Sequence, residues 1–272
     1  MMKIFEAKDA GKQIDGIKVL RDISLSISRG EKVAIVGSNG SGKSSLLKLI
    51  AGIYEENTGR VKRAKMGIGY VPEHFPENIR FGVMDYLLLM GKMTRKPEKE
   101  LLKIIEDYAK VFDIMNFLQT PIRKCSKGTK QKVGIIQALL KNPDLLLLDE
   151  PLTGLDEKTQ NELLQQLLSL QKEITIIFTA HEPLLIEGLA DRVIEIDAGK
   201  IFSDSPNAKK ENVRMIKAII PNKEEIVDIP CMKHEFIGEH SAEIIVAAKD
   251  SDQVLRMLLE RGCSIVELKE KR

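Results

Sequence analysis

Eight consecutive residues, Gly37-Ser38-Asn39-Gly40-Ser41-Gly42-Lys43-Ser44, fit the pattern G-x-x-x-x-G-K-[ST] of a loop that cradles nucleotide phosphates. The residue types suit the task. Glycines let the backbone wrap an anion at dihedrals a Cβ would forbid. Successive N–H groups then point inward, and the helix that follows turns its positive end to the phosphates. Lys43 would reach the β- and γ-phosphates, the Ser44 hydroxyl would bind Mg²⁺, and Ser45 continues the phosphate-binding set. Residues 31–36 read as an apolar strand entering the loop and residues 45–51 as a helix leaving it. A Gly/Ser-rich turn without a ligand would not need strand, loop and helix in that order.

Further along, the apolar run Leu145-Leu146-Leu147-Leu148 ends in Asp149-Glu150-Pro151. Four apolar residues in a row suit a strand buried on both faces. An acidic pair at the carboxyl end of such a strand lies where open α/β sheets bind ligands. Asp149 is placed to hold Mg²⁺, directly or through water, and Glu150 to polarise a water for attack on the γ-phosphate. Upstream, Ser126 in Cys125-Ser126-Lys127-Gly128-Thr129-Lys130 precedes a helix running to about residue 140. It is a natural N-cap, and its hydroxyl with the free N–H groups makes an anion site.

The elements that must carry these groups follow from periodicity. Ile23-Ser24-Leu25-Ser26-Ile27-Ser28 alternates with period two, as in a half-exposed antiparallel strand. Short strands are expected at 67–71, 145–148, 174–179 and 192–196. Helices are expected between Pro72 and Arg123, where Leu101, Ile104, Ile105, Tyr108 and Phe112 share a face, and over the leucines 163–170. Strands alternating with helices give an α/β core with a mostly parallel sheet. A polar, turn-rich segment near 203–210 reads as a linker. After it come a strand at 243–248, a helix at 252–261 capped by Ser251 and stopped by Gly262, and a strand at 264–268. These form a small α+β domain without a catalytic constellation.

The chain has 272 residues, 43% hydrophobic and 30% charged, with a net charge of +2. That balance is globular and too weak in charge to argue for nucleic acid. No run of about 18 apolar residues is present to span a bilayer, and the amino-terminal residues lack an apolar secretory segment, so a cytosolic location is expected. Cys125, Cys231 and Cys263 are far apart and show no C-x-x-C spacing, which indicates neither a disulfide framework nor a zinc site.

The segment from Cys125 to Lys132 resembles the signature motif of ABC-transporter nucleotide-binding domains, usually Leu-Ser-Gly-Gly-Gln. Thr153-Gly154-Leu155-Asp156 looks like that family's D-loop, and His181 like its switch histidine. P-loop, signature, acidic pair, D-loop and histidine occur in the family's order over residues 3–203. The resemblance implies a P-loop NTPase core of the α/β class, with a mostly parallel sheet, an antiparallel β subdomain and a helical subdomain over about 73–140. The ATPase domain then spans 1–203, the linker 204–211 and the small C-terminal α+β domain 212–272. It implies ATP and Mg²⁺ as ligands, with Glu150 and His181 catalytic and Asp156 near the nucleotide. Two such domains would sandwich ATP, with Ser126 and Gly128 of one closing the cage around a nucleotide on the P-loop of the other.

Three departures from the family pattern matter. Glu73 stands where the Q-loop normally has Gln; a carboxylate still ligates Mg²⁺ and is expected to alter the metal dependence. Lys127 and Thr129 replace Gly and Gln of the signature, and the Ser-Lys-Gly form resembles ATPases paired with ABC-2-type exporters. No aromatic residue lies in Lys12–Ile17, where the family stacks adenine, so Ile14 or Ile17 would pack on the base.

The implied role is the ATP-hydrolysing subunit of a transporter, peripheral on the cytoplasmic face of the membrane. Its partners would be an integral membrane permease and a second ATPase subunit, with no nucleic acid expected. The stretch 74–95, with Phe75, Phe81, Met84, Leu87, Leu88, Leu89 and Met90, is the candidate docking surface. A soluble ABC ATPase acting on nucleic acid or ribosomes is the alternative. Its known forms carry coiled-coil insertions or two domains in one chain, whereas this sequence has a single set of motifs without such an insertion. A P-loop kinase would not need the signature, D-loop and histidine. Loss of aromatic stacking, about 1 kcal/mol, predicts weak base selectivity. Parallel phosphate-release assays should give comparable ATP and GTP turnover, and a GTP rate far below that of ATP would contradict it.

Overall fold

The computed structural model describes residues 2–76, 79–170, 174–207, 213–222, 226, 229–231, 233–238, 240–247 and 250–271. These fall into two compact units, 1–207 and 208–272.

In the first unit β1 (Lys3–Ile14) and β2 (Ile17–Ser28) form an antiparallel hairpin. The two turn residues, Asp15 and Gly16, both have positive φ, 47° and 81°. This is the geometry an Asp-Gly pair favours because it matches the twist of the flanking strands. β4 (Thr58–Arg63) adds to the other edge of β1, which completes a three-stranded antiparallel sheet. The alternation in β2 is realised: Ile23, Leu25 and Ile27 are buried, while the serines between them are exposed or half-buried.

The second sheet runs β5 (Ile68–Val71), β6 (Leu145–Leu148), β7 (Thr175–Thr179), β3 (Lys32–Val36), β8 (Arg192–Asp197) and β9 (Lys200–Pro206). The first five pair in parallel and β9 is antiparallel at the edge. The apolar run of β6 is divided between the two faces. Leu146 and Leu148 enter a core shared with Ile176, Phe178 and the helices on that side. Leu145 and Leu147 enter a second core with Val33, Ile35, Ile177, the antiparallel sheet and α1 (Lys43–Ala51).

Helices α2 (Val83–Lys92) and α3 (Glu98–Val111) lie in the segment expected to be helical, and α4 (Lys127–Leu139) follows Ser126 as expected; the described residues between Pro72 and Gly82 belong to no helix. On α3, Leu101 and Ile105 are fully buried, and Phe112, its C-cap, joins the same core. α5 (Glu157–Leu168) buries Leu163, Leu164 and Leu167 but leaves Leu168 exposed. α6 (Pro183–Leu189) follows β7. Phe81 and Leu89 of the 74–95 stretch are exposed, whereas Leu87 is core and Phe75, Met84, Leu88 and Met90 pack against it.

The expected linker begins too early. Asp204, Ser205 and Pro206 lie in β9, paired with Ile194, Val193 and Arg192. Arg192 also forms an ion pair with Asp204. Residues 208–212 lie outside the described residues.

The second unit is a four-stranded antiparallel sheet of order β11 (Lys233–Phe236), β12 (Ser241–Ala247), β10 (Val213–Ile219) and β13 (Ser264–Lys271), with α7 (Ser251–Glu260) between β12 and β13. Val254 and Leu258 of α7 meet Ile216, Ala218, Ile244 and Val246 in its core. The order places the first and last strands side by side, as in a split β-α-β unit. Ser251 is not the cap of α7: Asp250 holds that position, and the buried Ser251 hydroxyl accepts from Arg214 Nη1 at 2.8 Å. Gly262, with φ 75°, ends the helix as expected. Cys125, Cys231 and Cys263 are not joined in disulfides.

Phe178 is fully buried in the central strand beside the P-loop strand. Phe178→Ala should cost about 3–5 kcal/mol by the cavity it leaves, read as a lowered urea midpoint of the nucleotide-binding unit within the full chain.

Candidate functional site

β3 delivers the chain into the P-loop, and steric limits there explain the glycines. A Cβ on Gly37 (φ 152°) would lie 2.2 Å from the Ile196 carbonyl oxygen, and one on Gly42 (φ 110°) 3.0 Å from that of Val19. Gly42 is the N-cap of α1 and offers no side-chain cap, so the first N–H groups of the helix face the loop without side-chain partners. Ser41 is 3% exposed and its hydroxyl has no partner among the described residues. A cradle closed by backbone, with uncapped helix N–H groups and an unpartnered buried hydroxyl, fits an anion.

Lys43 is 5% exposed and folds back over the loop. Its Nζ donates to the carbonyl oxygens of Gly37 (3.0 Å) and Ser38 (3.2 Å), lies 2.9 Å from His181 Nε2, and pairs with Glu150 Oε1 at 3.5 Å. A phosphate would substitute for these acceptors, being the stronger partner of an ammonium.

The acidic pair emerges from β6. Asp149 is almost fully buried and accepts three hydroxyls: Ser44 Oγ (3.0 Å) and Thr179 Oγ1 (2.8 Å) on Oδ1, and the Tyr70 phenol (3.2 Å) on Oδ2. Burial first, and the Asp149 carboxylate second, push the Tyr70 phenol well above its usual range, so it stays a donor. Glu150 sits in the left-handed region (φ 46°), with its N–H donating to Thr179 Oγ1 at 2.7 Å. One threonine hydroxyl therefore serves both residues of the pair. Glu150 Oε1 faces His181 Nε2 at 3.1 Å, and Oε2 accepts from Thr153 Oγ1 at 3.0 Å. His181 Nε2 can accept from Lys43 only while unprotonated and donate to Glu150 only while protonated. One proton position decides which neighbour it serves.

A single pocket of about 820 Å³ joins these groups. Asn39, Gly40, Gly42, Lys43, Ser44, Ser45, Glu150 and His181 line its phosphate end. Ile17, Lys18, Val19, Arg21, Ala198 and Gly199, none of them aromatic, line the other. Of the two isoleucines proposed for the base, Ile17 lines the pocket and Ile14 does not. Glu73 also lines it, but its carboxylate lies 3.7 Å from His74 Nε2, and it is Ser44 and Asp149 that are bonded to each other. A hydroxyl and a carboxylate 3.0 Å apart beside the phosphate cradle suit Mg²⁺, which takes one or two protein oxygens and completes its shell with phosphate and water.

The signature residues lie elsewhere. Ser126 caps α4, accepting from Thr129 N at 3.1 Å. With Lys127, Gly128, Thr129, Gly154 and Asp156 it lines a second pocket of about 280 Å³ that shares no residue with the first. Asp156 caps α5, accepting from Thr159 N (3.0 Å) and Thr159 Oγ1 (2.7 Å), which lowers its pKa. Lys127 reaches over the D-loop: a Cβ on Gly154 would lie 2.6 Å from its Nζ. The basic run from Arg123 to Lys132 is no continuous patch, because Lys132 is buried and paired with Glu162 at 3.2 Å.

Tyr70 and Thr179 are not among the residues expected here, and Thr153 is expected only as the first residue of the D-loop. Thr179 had a signal, its place at the end of the strand before His181. Tyr70 had none beyond strand propensity.

Residues 20–153 match the family model described as ABC transporter. An uncharacterized ABC transporter ATP-binding protein of Methanocaldococcus jannaschii is 37% identical over 184 residues, 67% of this chain and 70% of that protein. The zinc import ATP-binding protein ZnuC of Vibrio vulnificus is 32% identical over 211 residues, 76% of this chain and 78% of that protein. Among solved structures, cbiO1 of Clostridium perfringens, part of the cbiONQ transporter complex, is 28% identical with a TM-score of 0.67, covering 76% of this chain and 89% of that one.

Glu150 lines the pocket, and the partners of its carboxylate among the described residues are the side chains of Lys43, His181 and Thr153. Glu150→Gln should therefore keep nucleotide affinity while lowering turnover by about 10²–10⁴-fold, as measured by fluorescent-nucleotide titration and phosphate release.

Proposed function

The chain belongs to the ABC transporter ATP-binding family, whose members are ATPases using ATP and Mg²⁺, and from that premise we propose that it powers export through a separate membrane permease. The observation carrying this reading is the separation of two half-sites on one chain. The first pocket offers the P-loop, Glu150 and His181; the second offers the Ser126–Gly128 turn at the start of α4, beside the D-loop residues Gly154 and Asp156. A nucleotide on the first leaves its γ-phosphate flanked on one side only, so a second ATPase subunit supplying Ser126 and Gly128 completes the cage. The dimer is then a nucleotide-dependent interface that hydrolysis loosens.

Within the cage, Ser44 and Asp149 would hold Mg²⁺, which supplies charge neutralisation at the phosphates. Lys43 leaves the Gly37 and Ser38 carbonyls for the β- and γ-phosphates. Glu150, released from Lys43, accepts a proton from the attacking water, and His181 orients against the γ-phosphate. Asp156 takes part through the fold of the D-loop, since its carboxylate caps α5.

No helix among the described residues is long and apolar enough to cross a membrane, which supports a separate permease and a peripheral position on the cytoplasmic face. The exposed Phe81 and Leu89 support docking through the 74–95 stretch. Export rests on the Ser126-Lys127-Gly128 form of the signature, which resembles that of ABC-2-type systems. The alternative of action on nucleic acid loses support from the buried, paired Lys132.

Affinity capture from detergent-solubilised membranes tests the reading. Co-purification of an integral membrane protein, lost on Phe81→Glu with ATP binding intact, is the expected result. Capture of nucleic acid without a membrane protein would overturn it.

A further inference from the structure

We propose that Tyr70 is a positioning residue for the metal-binding carboxylate, holding Asp149 in the orientation that Mg²⁺ requires and coupling it to the loop that carries Glu73. The inference rests on the reading of Ser44 and Asp149 as the Mg²⁺ pair.

The geometry is asymmetric. Both Ser44 and Thr179 donate to Oδ1 of Asp149, and among the described residues Tyr70 alone donates to Oδ2, at 3.2 Å. A carboxylate gripped at one oxygen still turns about its Cβ–Cγ bond; donors on both oxygens fix its plane. The residues that orient a metal ligand from behind set its affinity as well as its direction.

Tyr70 is suited to the task because its own place is fixed. It sits on β5 directly opposite Leu147 of β6, so Tyr70, Leu147 and Asp149 share one face of the sheet. Its ring packs against the core that contains Leu145 and Leu147. The main chain adds a second tie, since Asp149 N donates to the Val71 carbonyl oxygen at 2.9 Å. Asp149 is therefore bonded through both backbone and side chain to the last two residues of β5, and Pro72 and Glu73 follow at once. A shift of the carboxylate on metal binding is transmitted to the start of the Glu73 loop without an intervening flexible element.

The test is the Mg²⁺ dependence of binding of a fluorescent ADP analogue, N-methylanthraniloyl-ADP, to the full chain. In EDTA, Tyr70→Phe should bind the analogue as wild type does, which also certifies its fold. The Mg²⁺ concentration that half-saturates the metal-induced tightening should rise about 10-fold, at the lower end of what loss of such an outer partner costs. In an Asp149→Asn background, Tyr70→Phe should change the Mg²⁺ response no further. An unshifted Mg²⁺ titration overturns the proposal. So does an equal loss of binding in EDTA and in Mg²⁺, or an additive loss in the Asp149→Asn background. If wild type itself shows no Mg²⁺-induced tightening, or Asp149→Asn leaves that tightening intact, it is the assignment of the metal pair that fails, and the proposal with it.

Discussion

Asp149 must keep a negative charge almost out of water at the end of a strand buried on both faces, and the organisation of the ATP half-site follows from how that charge is accommodated. An unpaired buried carboxylate would cost several kcal/mol and would protonate rather than remain a ligand. Here three hydroxyls donate to it, one each from α1, β5 and β7. The strand order β5-β6-β7 makes this possible, because it flanks the acidic strand with Tyr70 on one side and Thr179 on the other. Parallel register then brings all three side chains to the same face. The charge that would destabilise the sheet becomes the group through which four elements are tied together.

The neighbouring Glu150 is handled in the opposite way. Its left-handed backbone turns it out of the sheet, and its side chain meets a lysine, a histidine and a threonine in place of core. Lys43 is shared between backbone carbonyls and Glu150, and His181 Nε2 lies between the two side chains, 2.9 Å from Lys43 Nζ and 3.1 Å from Glu150 Oε1. Two adjacent acidic residues are thus held differently: one is fixed by hydroxyls, the other turns out of the sheet toward a lysine, a histidine and a threonine.

The parts legible in the sequence are those whose chemistry is local. A glycine-rich loop between strand and helix, a four-leucine run ending in an acidic pair, and a serine opening a helix each announce themselves within a few residues. What escaped depends on pairing across the chain. The end of β9, from Asp204 to Pro206, reads as linker because it is an exposed edge strand: Phe202 is 79% exposed and the serines and Asp204 carry no apolar period. β4 was missed for the same reason, since most of its residues face solvent. The Asp15-Gly16 turn is the exception, a hairpin signal local to the sequence that the alternation on either side reinforces. Tyr70 was read as a strand residue only, because nothing near it in sequence points to a carboxylate 79 residues away.

Ser126 and Asp156 show why motif and mechanism are not the same. Each carries a side chain that sequence alone assigns to nucleotide, and each uses that side chain in the chain itself to cap a helix, α4 or α5. Capping settles where a helix begins, and the start of α4 settles where its free N–H groups point. The Ser126 hydroxyl accepts from Thr129 N and shares a second hydrogen bond with Thr129 Oγ1 at 2.9 Å, and unlike a carboxylate it carries a proton of its own. Asp156 has no proton to donate, and both its oxygens accept from Thr159, so its contribution to the second half-site is positional. In the composite site we propose, the signature side would therefore be built from helix starts and the P-loop side from a buried charge network, and it is the first of these that a second subunit would present.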